Sequence, residues 1–347
     1  MGSSKPRSLS KTISEVVGFL LLSAFYIVQA IVKFFLPKKY HNYKDVKGEI
    51  ALVTGGGGGL GRLLALRLAK LGATVVLWDI NVAGLEETVN LVNSIGGKAF
   101  AFKCDISDKD DVYKAAEITR QEVGDVQILI NNAGIATGDT LLATPDHLIK
   151  KTFEVNVIAH FWTVKSFLPK MIEKNHGHIV TVASMAGFVG SNKLVTYCAT
   201  KYAAVGFDDA LRVELESQGI FGVKTTAICP FFIQSTGMFN DVNARYIPTL
   251  KPNDVADRII EALQKDETVV LMPNWFSIAL VLRMIVPWSV VSLCMRGLVI
   301  DPTPKQTAAK TNGSAKIEDF PQKSNGSVKE SVSTLNHRIV TNGKNVH

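Results

Sequence analysis

Two side chains four residues apart give the first sign of chemistry. In "VASMAGFVGSNKLVTYCATKYAAVGF", Tyr197 and Lys201 are one helical turn apart, so a helix puts both on one face. A cation beside a phenol favours the phenolate and lowers the tyrosine pKa toward working pH, as general acid–base catalysis requires. Ser184, at the end of an apolar run, can hold a substrate oxygen against that phenol. A Tyr-x-x-x-Lys pair alone usually marks a solvated helix face. It gains meaning only beside a cofactor turn.

Such a turn lies upstream. "TGGGGGLGR", residues 54–62, follows the β-type run "EIALV" and precedes the helix-forming run "LLALRLAKL". The glycines fit G-x-G-x-x-G at Gly56, Gly58 and Gly61, and T-G-x-x-x-G-x-G at Thr54, Gly55, Gly59 and Gly61. Either pattern allows a tight turn, close backbone approach and a pyrophosphate at the N-terminus of the next helix, where Leu60 falls. "VVLWD" ends on Asp79, a carboxylate that suits an adenosine ribose and repels a 2′-phosphate, favouring NAD over NADP. Arg62, beside the last glycine, could soften that preference. "CDIS" puts Asp105 and Ile106 where an adenine ring could rest.

The elements that must position these groups alternate. Apolar strands are expected at 50–54, 74–78, 98–102, 126–130, 178–182, 223–229 and 268–272, with helices between them at 82–94, 108–123, 147–174 and 196–217. Continuous apolar strands between helices predict an α/β fold whose parallel sheet of about seven strands is covered on both faces.

These residues together resemble the short-chain dehydrogenase/reductase family, from about Lys47 to Met272. Thr54, Gly55, Gly59 and Gly61 match its cofactor turn, and "NNAG" at 131–134, with Asn132, matches its motif after the fourth strand. Asn156, Ser184, Tyr197 and Lys201 match its catalytic tetrad. The hydrophobic leader, "LWDIN", "YCATK" and "CPFFIQSTGMF" are similar to a membrane-bound branch. It holds retinol dehydrogenases (the epidermal type and retinol dehydrogenase 10) and 17-beta-hydroxysteroid dehydrogenases of types 11 and 13.

The resemblance implies a single-domain Rossmann fold. Tyr197 would be the general base in oxidation, while hydride passes to the nicotinamide. Lys201 would lower the tyrosine pKa and hold the nicotinamide ribose, Ser184 would orient the reacting oxygen, and Asn156 would support a water-mediated proton path. It also implies a homodimer through the helices bearing Asn156 and Tyr197. Pro230, Ile233 and Thr236 fall where the family contacts the nicotinamide carboxamide. There the chain departs from the family's Pro-Gly: it reads Pro230-Phe231-Phe232, an aromatic pair suited to an apolar substrate wall, with Ser235 or Thr236 as the carboxamide contact.

The ends carry the apolar excess of a 347-residue chain with 47% hydrophobic residues and mean hydropathy +0.18. Residues 1–47 read as a membrane anchor, Val16–Leu36, with a basic flank; 48–272 as the catalytic domain. Residues 273–300 read as a membrane-associating or substrate-capping segment, since Arg283 rules out a clean span. Residues 301–347 read as a disordered tail, whose Asn312 and Asn325 sequons would be glycosylated only in a lumen. The net charge of +7 clusters around the anchor, which points to a membrane surface and not to nucleic acid. Four scattered cysteines fit a reduced compartment, and no metal site is expected.

The expected function is hydride transfer between a lipophilic alcohol, of the retinol or hydroxysteroid class, and NAD. Its expected place is the endoplasmic reticulum membrane or a lipid droplet, with the catalytic domain facing the cytosol. The competing readings are a non-catalytic membrane scaffold and an NADPH-dependent carbonyl reductase.

Overall fold

Aliphatic and β-branched runs form the sheet, and each strand sends alternate residues into two separate cores. The computed structural model describes residues 9–35, 42–234, 238, 243–244 and 247–301. The chain divides into two compact units, Met1–Lys44 and Asp45–His347. The first contains α1 (Leu9–Phe35), about 40 Å long at 1.5 Å per residue. By length and composition α1 is the one helix among the described residues able to cross a membrane.

In the second unit β1 (Ile50–Thr54), α2 (Gly59–Lys70), β2 (Thr74–Asp79), α3 (Val82–Ser94), β3 (Lys98–Lys103), α4 (Lys109–Glu122) and β4 (Ile128–Asn131) come first. Next are α5 (Asp146–Phe153), α6 (Ala159–Glu173), β5 (Gly177–Val182), α7 (Val195–Ser217), β6 (Val223–Pro230) and the short β7 (Asn243–Ala244). The unit ends with α8 (Pro252–Gln264), β8 (Val269–Met272), α9 (Phe276–Ile285), α10 (Trp288–Leu298) and β9 (Val299–Asp301), which pairs antiparallel with β7.

Seven strands form one parallel sheet in the order β3-β2-β1-β4-β5-β6-β8, the doubly wound Rossmann arrangement expected. Val75 and Leu77 of β2 enter one core with Leu64 and Leu68 of α2 and Ile259 of α8. Val76 and Trp78 enter the other, with Val112 of α4 and Phe167 of α6. That double coverage explains why the strands are apolar without alternation.

One expectation needs correction. The helix read over 147–174 is α5 and α6 joined by a π-turn, Glu154–Ile158. A π-turn adds one residue to the helical register and rotates the apolar stripe by about 100°, an offset that helices as short as α5 and α6 do not mark clearly in the sequence. Within the 273–300 segment Phe276 and Val291 are buried, and Phe276 shares a core with Met185 and Phe231.

Candidate active site

Strand order reverses between β1 and β4, and the carboxyl ends of the strands there open onto one cavity of about 540 Å³. Loops leaving a doubly wound sheet diverge at that point and leave a crevice. The structure brings Gly55, Gly59, Leu60, Asp79, Asp105 and Ile106 to this cavity. Asn132, Ser184, Tyr197, Lys201, Pro230 and Ile233 line it as well. Thr54, Gly61 and Asn156 lie behind its wall, fully buried, and Thr236 falls outside the described residues.

The glycine turn fits a dinucleotide. Gly55 and Gly59 take φ of +69° and +51°, a region L side chains disfavour. A Cβ at Gly61 would stand 2.0 Å from the Gly55 carbonyl oxygen, so a side chain there would push the turn open. At Gly58 a Cβ would meet nothing within 4 Å, which leaves the cavity side of the turn clear. Thr54 braces the turn from behind, its Oγ1 accepting from Asn132 N at 3.0 Å and Ala133 N at 3.1 Å. The Asn132 side chain donates to the Thr54 carbonyl at 2.9 Å.

Asp79 closes the turn's outer edge: Oδ2 accepts from Gly57 N and Oδ1 from Asn81 N, each at 2.9 Å. The N-cap of α3 is Asn81, so Asp79 is not consumed as a helix cap. Arg62 is committed elsewhere. Its guanidinium grips the Glu87 carboxylate through two bonds of 2.7 and 2.6 Å and donates to the Gly57 carbonyl. Across the cleft, burial pushes Asp105 up, but Ser107 and Lys151 outweigh it and hold the carboxyl below its usual range. Lys151, on the rim, is a site residue that sequence reading missed.

The residues expected to be catalytic sit where β5, α7 and the π-turn meet. Ser184 lies just past Val182, the end of β5, and starts a 3-10 turn over Met185–Gly187; its Oγ accepts from Ala186 N at 3.1 Å and donates to the Pro230 carbonyl at 3.3 Å. It also hydrogen-bonds the Tyr197 phenol. Lys201 is 3% exposed; its Nζ donates to the Val182 carbonyl at 2.8 Å and lies 5.6 Å from the Tyr197 ring centroid.

The expected lowering of the Tyr197 pKa does not emerge here. Burial pushes the phenol well above its ordinary value, and the Ser184 bond only partly offsets it. The same desolvation brings Lys201 down to about 8. Both groups share one dry site.

Asn156, in the π-turn, clasps the backbone of Ile135. Its Oδ1 accepts from Ile135 N and its Nδ2 donates to the Ile135 carbonyl, each at 2.8 Å, with Thr200 Oγ1 at 3.0 Å. A Cβ at Gly134 would lie 3.3 Å from Asn156 Oδ1 and 3.7 Å from Lys201 Nζ, so the glycine keeps the gap between them open. His160, one helical turn after Asn156, is held neutral: burial and then the Lys201 charge lower its pKa to about 3. Its spacing from Asn156 was the one sequence signal for it.

The far side of the cavity is apolar. Phe231 meets Phe232 edge-on at 4.9 Å and stacks on Phe276 at 6.0 Å, while Met295 reaches in from α10. The aromatic pair after Pro230 thus lies in the wall, and the 273–300 segment supplies part of the roof.

Residues 49–247 match the family model described as short chain dehydrogenase. The chain is 44% identical to mouse estradiol 17-beta-dehydrogenase 11 over 277 residues, covering 80% of this chain and 92% of that protein. It is 45% identical to human epidermal retinol dehydrogenase 2 over 273 residues, 78% of this chain and 87% of that one. Among solved structures, a short-chain dehydrogenase/reductase from Burkholderia phymatum in complex with NAD superposes with a TM-score of 0.63 at 26% identity, over 70% of this chain and 94% of that chain. A metagenomic short-chain oxidoreductase in complex with NADP gives 0.56 at 28%, over 66% and 98%. With the family model spanning more than half of its length and dehydrogenases aligned over most of it, the chain belongs to the short-chain dehydrogenase/reductase family of oxidoreductases.

Proposed function

We propose that the protein oxidises lipophilic alcohols of the retinol or hydroxysteroid class with NAD, at the endoplasmic reticulum membrane or on lipid droplets, its catalytic domain facing the cytosol. The observation that carries this reading is one cavity holding a dinucleotide turn at one end, Ser184, Tyr197 and Lys201 at its centre, and an aromatic wall at the other. The named activities of the relatives, on estradiol and retinol, point to the same substrate chemistry.

The turn at Gly55, Gly59 and Leu60, shaped by Thr54 and Gly61, would hold the pyrophosphate at the N-terminus of α2. Asp79 would take the adenosine ribose, and Asp105 and Ile106 would flank the adenine. Asn132, Pro230, Ile233 and Thr236 would serve the nicotinamide end, which when bound supplies the two-electron acceptor. Ser184 holds the alcohol oxygen beside the phenol, Tyr197 takes its proton, and Lys201 stabilises the resulting charge. Asn156 and Lys201, across the gap at Gly134, would frame a water that carries the proton outward.

NAD is favoured over NADP because Asp79 faces the cleft and the nearest guanidinium, Arg62, is already neutralised by Glu87. Asp79→Ala should shift the ratio of NADH to NADPH binding toward NADPH by about tenfold, the size of one charge-dependent contact. An unchanged ratio in a fluorescence titration would remove Asp79 from cofactor selection.

Membrane association rests on α1 and on α9, whose outward residues Ile278, Val281 and Ile285 are exposed. A homodimer would cover exposed Phe161 of α6 and Val213 of α7. Membranes carrying the full-length protein, given NAD and a panel of retinoids, steroids and fatty alcohols, should form NADH from at least one class. No NADH from any of them, with nucleotide binding intact, would overturn the reading.

A further inference from the structure

The roof of the cavity is held by a cation turned inward. On α9 the exposed stripe is apolar, with Ile278, Val281 and Ile285 facing out. Arg283 instead follows Phe276 and Leu280 at the spacing of the inward stripe, half-buried, and its Nη1 donates to the Phe188 carbonyl and to Tyr202 Oη at 3.2 Å. This inverts the ordinary surface helix, which turns its charges to solvent.

The acceptors matter. Phe188 caps the short turn that Ser184 begins, and Tyr202 directly follows Lys201 on α7. One guanidinium therefore ties the roof helix to both segments that carry catalytic side chains. At the other end of α9, Phe276 stacks on Phe231, which lines the cavity after β6. Seven residues separate these fastenings, about 10 Å of helix.

We infer that Arg283 is a positioning residue that fastens α9 over the apolar end of the cavity and so sets selectivity for long apolar alcohols over short ones. A short alcohol reaches Ser184 and Tyr197 without touching the roof. A long one gains its extra binding from the roof's apolar side chains, and that gain depends on the roof being held shut. The kinetic consequence rests on the alcohol-oxidising reading; the fastening itself does not.

The test uses the full-length protein in membranes with Arg283→Met, Arg283→Lys and Tyr202→Phe. Hydrogen exchange reports whether α9 is held, and kcat and KM for hexadecanol and hexanol report selectivity. Arg283→Met should speed amide exchange in 276–285 about tenfold, the scale of a lost charge-assisted hydrogen bond. It should raise KM for hexadecanol about tenfold with kcat little changed, and leave hexanol kinetics within about twofold. Arg283→Lys should recover part of each effect. Tyr202→Phe, which keeps the Phe188 contact, should move both readouts less and in the same direction, and it stands in should Arg283→Met fail to fold. Unchanged exchange in α9, or equal losses for both alcohols, would overturn the inference. If the wild type oxidises neither alcohol, the selectivity for long over short alcohols falls, the proposed activity is judged on the retinoid and steroid panel, and exchange alone decides the fastening.

Discussion

Tyr197→Phe should lower turnover about 10³-fold and leave the fold and nucleotide binding in place. The magnitude is that of removing a positioned proton acceptor. The selectivity of the effect comes from the packing. Tyr197 forms a small buried cluster with Leu194 and Cys198, against which Phe232 and Met238 pack, and the substitution keeps the ring. Only the hydroxyl is lost, and Ser184 retains both Ala186 N and the Pro230 carbonyl as partners. Thermal stability should shift by no more than about 1 kcal/mol, since a buried polar group leaves together with one hydrogen bond. Because burial holds the phenol above its ordinary pKa, the wild-type rate of oxidation should climb with pH, and the variant should lose that climb. A variant keeping more than about a tenth of wild-type turnover would show that proton transfer is done elsewhere.

How much of this was legible in the sequence depends on whether a feature is local. The strands and the glycine turn were, because apolar runs and a Gly-rich junction carry their own signature. Ser184, Tyr197 and Lys201 do share one cavity. Thr54 and Gly61 match the cofactor pattern equally well, yet they shape the turn from behind, a difference that motif spacing cannot express. Arg283 reads in sequence as a fault in an apolar run. Only the packing of α9 shows that the fault faces inward, although the spacing Phe276, Leu280, Arg283 already traces one helical stripe. Lys151 and Met295 come from distant elements and carry no local mark. The raised pKa of Tyr197 is hidden for a related reason: a neighbouring cation is visible in sequence, but the loss of water around both groups is not.

That shared dryness yields the second large effect, at Lys201. Its ordinary pKa of 10.5 is brought down to about 8, chiefly by desolvation, so the folded protein resists holding this charge by roughly 3 kcal/mol. Lys201→Met should lower turnover by about 10²-fold or more, because it removes a buried positive charge that is held by the Val182 carbonyl 5.6 Å from the Tyr197 ring centroid. Stability should not follow activity. Between pH 8 and 10.5 the unfolded chain binds the extra proton and the folded one does not, so wild-type stability gains from this group as pH rises through that window. The variant lacks the gain. Measured against wild type, Lys201→Met should therefore be relatively most stable below pH 8, and its advantage should shrink by up to about 3 kcal/mol by pH 10.5. The Val182 carbonyl left without its donor costs about 1–3 kcal/mol at every pH, which offsets the curve without changing its slope. Chemical denaturation of both proteins at several pH values reads that slope directly. A stability difference flat across the window would mean that Lys201 is solvated in the working enzyme, and the electrostatic role assigned to it here would fall with its burial.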